Sequence, residues 1–176
     1  MREEVLDTLT IDLKGWGSDD HIYTYSLGDD YFGAIGGNDI LGGDIRVTLT
    51  AHKVSATSFS FHFVVKGTVE VECCRCLQPV VLTVDDDRIV PVVFGAEDGD
   101  DGETLTVDEA RGEVSVAWLI YEFVALSVPV SPMHGEGGCD AGMTRILEEY
   151  TAAPHGGEGG DATDPRWSAL QKIKDK

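Results

Sequence analysis

Three of the chain's four cysteines, Cys73, Cys74 and Cys76, fall within four consecutive positions of the stretch VEVECCRCLQPV at 69–80. Cys73 and Cys76 have the C-x-x-C spacing of a metal knuckle or a redox pair. The fourth, Cys139, follows His134 by five positions in MHGEGGC. Two close pairs carried by distant parts of the chain are what a tetrahedral zinc site needs, and three sulfurs with one imidazole suit zinc's preference for soft and borderline ligands. Four protein ligands leave no position for water, so zinc held by Cys73, Cys76, His134 and Cys139 would be structural. Two other readings stay open on residue type alone. The thiols can be reduced and metal-free, with Cys73 a small buried hydrophobe. They can also be a redox pair, whose thiolate the adjacent Arg75 would favour, although the βαβ surroundings usual for such a pair are missing.

Both pairs need compact turns to meet. Val69, Val71 and Cys73 alternate with Glu70, Glu72 and Cys74, so neighbouring cysteines point to opposite faces and Cys74 leaves the set. Arg75 to Pro79 makes a turn, and Val80, Leu82 and Val84 return, which puts the C-x-x-C on a hairpin tip. Upstream, Ile45, Val47, Leu49 and Ala51 share a face, as do Phe59, Phe61, Phe63 and Val65. A sheet packed on one side only is expected, with Gly67 as a turn or bulge. Leu9, Ile11 and Leu13 alternate, as do Tyr23, Tyr25 and Leu27, and these read as a hairpin around GWGSDD. DDYFGAI at 29–35 predicts a short capped helical turn. Ile89 to Phe94 is a further strand, the acidic AEDGDDGE a solvated loop, and Leu105 and Val107 a short strand.

Ser115 is placed to cap a helix from Val116 to about Val128 that is apolar on most sides, suited to burial or to a dimer interface. Pro129 and Pro132 end it and lead to His134. Asp140 can cap another helix carrying Met143, Ile146, Leu147 and Tyr150. The expected class is α+β: an antiparallel sheet or partly closed barrel-like meander on one apolar helix, plus short C-terminal helices. The expected organisation is one domain over 1–150, a flexible linker at 151–163 and a short basic helix at 164–176. In that helix Arg166, Trp167, Leu170, Lys172 and Lys174 could dock on a partner or fold back on the acidic domain.

The chain has 176 residues and a formal net charge of −19. That sign repels a phosphate backbone and argues against direct RNA binding, while suiting a basic protein partner. The opening Met1-Arg2-Glu3-Glu4 lacks a signal peptide's apolar run, and no stretch is long and apolar enough for a membrane helix, so a cytoplasmic protein is expected. No paired carboxylates with a histidine at ligand spacing, no phosphate loop and no nucleophile elbow stand out, so no enzyme is expected.

The segment GTVEVECCRCLQP resembles the C-x-R-C-L signature of the YceD family, the large ribosomal RNA subunit accumulation proteins, with Cys73, Arg75, Cys76 and Leu77 on the signature positions. YFGAI, DIRVTLTAHK, VAWLIYEFVALSVPV, SPMHGEGGCDAGMTRIL and DPRWSALQKIK are similar to the family as well. The resemblance implies a non-enzymatic bacterial factor needed for accumulation of large-subunit ribosomal RNA. Two functions follow: an acidic, zinc-stabilised domain that binds a basic ribosomal protein or assembly factor, or a thiol redox protein using Cys73 and Cys76.

Overall fold

The computed structural model describes residues 2–152, apart from 18 and 101. The chain divides into two compact units, Met1–Cys139 and Asp140–Lys176.

The first unit is α+β. It runs α1 (Arg2–Asp7), β1 (Thr10–Asp12), β2 (His21–Leu27), α2 (Asp29–Ile35), β3 (Gly42–Lys53), β4 (Ser58–Glu72), β5 (Pro79–Gly95), β6 (Gly99–Asp100), β7 (Leu105–Asp108), β8 (Glu113–Ser115) and α3 (Ala117–Ser127). Six strands form one sheet in the order β2-β3-β4-β5-β7-β6, antiparallel throughout except for the parallel pair β5–β7. The sheet is therefore mixed, and it stays open with β2 and β6 at its edges instead of closing towards a barrel.

Alternation explains the core. Ile45, Val47, Leu49 and Ala51 of β3 and Phe59, Phe61, Phe63 and Val65 of β4 are all buried. Registered pairs such as Leu49 with Phe63 stack these side chains across the strands. Phe123 of α3 meets Phe63 edge-on, with ring centroids 5.2 Å apart. Such a contact adds to the apolar burial. Tyr31 of α2 donates its hydroxyl to the Ala117 carbonyl at 2.7 Å, joining the two helices beneath the sheet.

Several expectations need correction. Leu9, Ile11 and Leu13 are buried as the alternation requires, but β1 pairs with β8, not with β2, and β2 pairs with β3. Alternation selects a face and says nothing about which strand lies alongside. Gly67 is neither turn nor bulge, because β4 runs through it opposite Ile45. Its backbone, at φ +153°, passes too close to β3 for any side chain. Ser115 belongs to β8; α3 starts from Val116 without a side-chain cap. Asp29 does not cap α2 either, since its Oδ1 accepts from the Gly43 amide at 2.9 Å across to β3. The two strands expected at 80–84 and 89–94 are one continuous β5. The acidic stretch is partly structured: Gly99 and Asp100 pair with β7, and Asp98 is bridged to Arg111.

The second unit contains α4 (Ala141–Ala152), capped as expected by Asp140, whose Oδ1 accepts the Met143 amide at 2.8 Å. The remainder of the anticipated linker and the basic helix at 164–176, with Arg166, Trp167, Leu170, Lys172 and Lys174, lie outside the described residues. Among the described residues no helix is long and apolar enough to cross a membrane.

Candidate metal centre

β4 ends at Glu72 and β5 begins at Pro79, so residues 73–78 are the tip joining the two longest strands. The tip is a tight knuckle. The Cys73 amide donates to the Gln78 carbonyl at 3.0 Å and the Leu77 amide to the Cys73 carbonyl at 2.9 Å. Leu77 closes it in the left-handed region at φ 62°. This folding turns Cys73 and Cys76 inward, 0% and 1% exposed, and leaves Cys74 and Arg75 outside.

The partner limb begins where α3 stops. Pro129 and Pro132 cannot continue a helical ladder, and the Pro132 carbonyl accepts the Cys74 amide at 2.9 Å, fastening the limb to the knuckle. A turn closed by Gly138 N–H to the Gly135 carbonyl, 2.9 Å, with Gly137 at φ 74°, then brings Cys139 back. The four ligand atoms of Cys73, Cys76, His134 and Cys139 all lie within 4.8 Å of one another.

His134 is held in a definite orientation. Its Nε2 is 3.0 Å from the Pro79 carbonyl, which only an N–H can satisfy, and so in the neutral ring Nδ1 carries the free lone pair. That Nδ1 is 3.4 Å from the Cys76 sulfur. An outer hydrogen bond of this kind orients a metal-bound imidazole and strengthens it as a ligand.

Electrostatics follow from the crowding. Burial pushes the Cys73 thiol up, but hydrogen bonds from the backbone of Cys76, Arg75 and His134 and from the His134 ring outweigh it and bring it down to about 5. The hydrogen bond with Cys73 raises the His134 ring, against the opposing effect of burial. Cys139 is held up by burial and by the neighbouring Cys76 and Cys73. One thiolate is thus ready, and the next is discouraged by negative charge alongside it. A divalent cation at the centre reverses that penalty.

Zinc fits the arrangement. Zn–S bonds of about 2.3 Å put tetrahedral sulfurs about 3.8 Å apart, and a Zn–N bond of about 2.0 Å gives sulfur–nitrogen edges near 3.5 Å. The Cys76–His134 edge is already at that length, and the widest permitted separation of 4.8 Å needs to close by only about 1 Å. All four residues singled out by spacing are brought together, and Cys74 is excluded as the alternation required. The Cys74–Pro132 and His134–Pro79 hydrogen bonds and the left-handed Leu77 were not anticipated. Backbone acceptors leave no mark in residue type, and a leucine gives no hint of positive φ.

Leu77 supports a prediction of its own. A left-handed leucine costs about 1–2 kcal/mol, and its side chain, 56% exposed, recovers little by burial. Glycine removes that cost while losing about 0.5–1 kcal/mol of chain entropy. Leu77→Gly is therefore expected to leave stability unchanged or raise it by up to about 1 kcal/mol in urea unfolding. A loss of more than about 1 kcal/mol would show that Leu77 is anchored after all.

A search of curated proteins and a search of solved structures return no match to this chain. The family model described as "Large ribosomal RNA subunit accumulation protein YceD" matches residues 61–174, which include the knuckle, α3, the His134–Cys139 turn and α4. With most of its length covered and the signature cysteines Cys73 and Cys76 in the one Cys/His cluster found among the described residues, the chain belongs to the YceD family, and its role lies in ribosome biogenesis.

Proposed function

We propose that the protein is a non-enzymatic factor in large-subunit biogenesis, a zinc-stapled acidic domain of the cytoplasm that binds a basic ribosomal protein or assembly factor. The observation that carries this reading is the formal net charge of −19 in a chain with a family role at the ribosome. Ribosomal RNA is itself a polyanion, so a strongly acidic factor is better matched to the basic proteins that coat it. The Cys3His set supports a structural ion: four protein ligands leave no open position for a substrate or an activated water.

Long-range attraction should speed the encounter and fade with salt. Purified large-subunit proteins are expected to bind at low ionic strength and to lose at least about tenfold in affinity at high salt. Absence of binding at low salt would remove the proposal.

The low pKa of Cys73 favours a second reading, thiol redox chemistry with Cys76. Both sulfurs are buried, however, and disulfide exchange needs in-line access to the attacking thiolate. No turnover is expected in a disulfide-reduction assay; turnover that disappears in Cys73→Ser would favour the redox reading.

A further inference from the structure

The two edges of the sheet differ. β6 is only two residues long, Gly99–Asp100, and closes its edge with a glycine and a charge. β2 is seven residues long, HIYTYSL, and pairs with β3 residue for residue from His21 to Leu27 without a bulge. No strand among the described residues lies along its other side. Free edges are ordinarily blunted by lysine, proline, a bulge or shortness, because their unpaired amides and carbonyls can receive a further strand. β2 has none of these protections.

Side chains and flanks define what fits there. Tyr23 and Tyr25 lie opposite the buried Leu49 and Val47, on the core face. Both are half-buried, and their rings stand parallel with centroids 6.3 Å apart. Burial and, after it, the nearby Asp12 charge push the Tyr23 hydroxyl up, so it stays neutral. On the opposite face Ile22 is 68% exposed, beside the exposed Thr24 and Ser26. Asp19 and Asp20 stand immediately before the strand, Asp29 and Asp30 just beyond Gly28, and all four are exposed. Asp20 is bonded to the His52 ring at 2.5 Å and Asp29 to the Gly43 amide at 2.9 Å. Each contact uses one carboxylate oxygen, whereas an ionised carboxylate can accept about four hydrogen bonds. The free edge thus carries aromatic faces along its middle and negative charge at both ends.

We infer that β2 receives an extended, Lys- and Arg-rich protein segment as an added strand of the sheet. Backbone hydrogen bonds would seat the segment. Cations on its core face would lie against Tyr23 and Tyr25, and those at its ends would meet the aspartates. Uncharged side chains on the other face would cover Ile22. Charge selects this occupant over a second copy of the chain. Antiparallel pairing of two β2 strands about Thr24 sets Asp19 of one copy opposite Asp29 of the other, and like charges directly opposite are destabilising. A nucleic acid carries the same sign and has no peptide backbone to extend the ladder. The inference rests on the proposed role as a binder of basic proteins and names the edge that holds them.

The test uses the full chain and a labelled synthetic peptide of alternating lysine and valine, titrated at low salt, with one analogue N-methylated at every lysine and another at every valine. Alternate amides of a strand point to opposite edges, so one analogue should bind at least about tenfold more weakly than the parent and the other close to it. Hydrogen exchange should slow on binding at alternate amides of β2 and stay unchanged in the β3–β4 pairs. Asp19→Asn with Asp30→Asn should weaken the parent peptide more than Asp85→Asn with Asp87→Asn, which removes as much charge on β5. Equal binding by the parent and both analogues would overturn the edge while leaving the acidic-binder reading in place, as would purified large-subunit proteins that bind without slowing exchange in β2. Protection of every β2 amide in the free monomer, or its appearance as the protein alone is concentrated, would make the chain itself the occupant and overturn the inference. Failure of the wild type to bind either the peptide or purified large-subunit proteins at low salt would overturn both.

Discussion

Protein stripped of metal by chelator, or carrying Cys76→Ser, is expected to melt more than about 10 °C below the metal-loaded chain. Structural zinc contributes on the order of 10 kcal/mol in small sites, which rivals the roughly 5–15 kcal/mol net stability of a typical domain. Each kcal/mol moves the midpoint of a chain this long by about 2–4 °C, so about half of that contribution gives the stated shift. The geometry supports a large effect because the ion would clamp the β4–β5 tip to the limb beyond α3, two parts otherwise joined by few hydrogen bonds. Removing it also leaves the Cys73 thiolate buried beside two further sulfurs. Cys74→Ser is the matched control, since Cys74 is exposed and outside the set, and it should melt with the wild type. Elemental analysis of chelator-free preparations should find zinc in the wild type and in Cys74→Ser but not in Cys76→Ser. Because the ligands bind in their deprotonated forms, zinc retention should fall as the pH is lowered. A midpoint indifferent to chelator, in protein containing no metal, would end the zinc reading.

The next largest effect is expected from a single methyl group. Gly67→Ala should cost about 3 kcal/mol in urea unfolding. A Cβ there would stand 2.7 Å from the Ile45 Cα and closer still to the Asp44 carbonyl oxygen, both of them backbone in the facing strand. Neither can rotate away. The residue's φ of +153° adds a backbone cost for any L side chain. Gly43 lies in the same crowded stretch, with a Cβ position 2.5 Å from the Thr68 carbonyl, so β3 and β4 are packed tightly from the Gly43–Val69 pair to the Ile45–Gly67 pair. Gly99, whose nearest neighbour would be 3.9 Å away, is the contrast: Gly99→Ala should change stability by about 0.5 kcal/mol or less. A cost below about 1 kcal/mol at Gly67 would mean that the strands are further apart than described.

The parts of this structure legible beforehand are those set by periodicity and side-chain chemistry. Phe59, Phe61 and Phe63 declare a buried face whatever strand lies beside them, and Cys73 must point away from Cys74 on any strand. The pairing of His134 and Cys139 with the knuckle followed from ligand chemistry, because few other residues could complete a soft tetrahedral set. Partnership between strands was not legible. Nothing in Thr10–Asp12 indicates that it lies against Glu113–Ser115, roughly a hundred positions away. The closeness of β3 and β4 at Gly67 is likewise a property of two segments, whereas the glycine alone reads as a turn or bulge. The cap of α3 escapes for a related reason: Ser115 is a good cap by type, but it belongs to β8.

The spacing within the metal set has a consequence for how the chain is made. Cys76 and His134 are 58 positions apart, with β5, β6, β7, β8 and α3 lying between them. During synthesis the knuckle cysteines emerge first and can offer an ion two sulfurs at most. Tight coordination waits until α3 has docked and its following turn has been made. An ion held by all four ligands is therefore a report of completion, and a chain halted before Cys139 would keep its Cys73 and Cys76 thiols open to capture or oxidation.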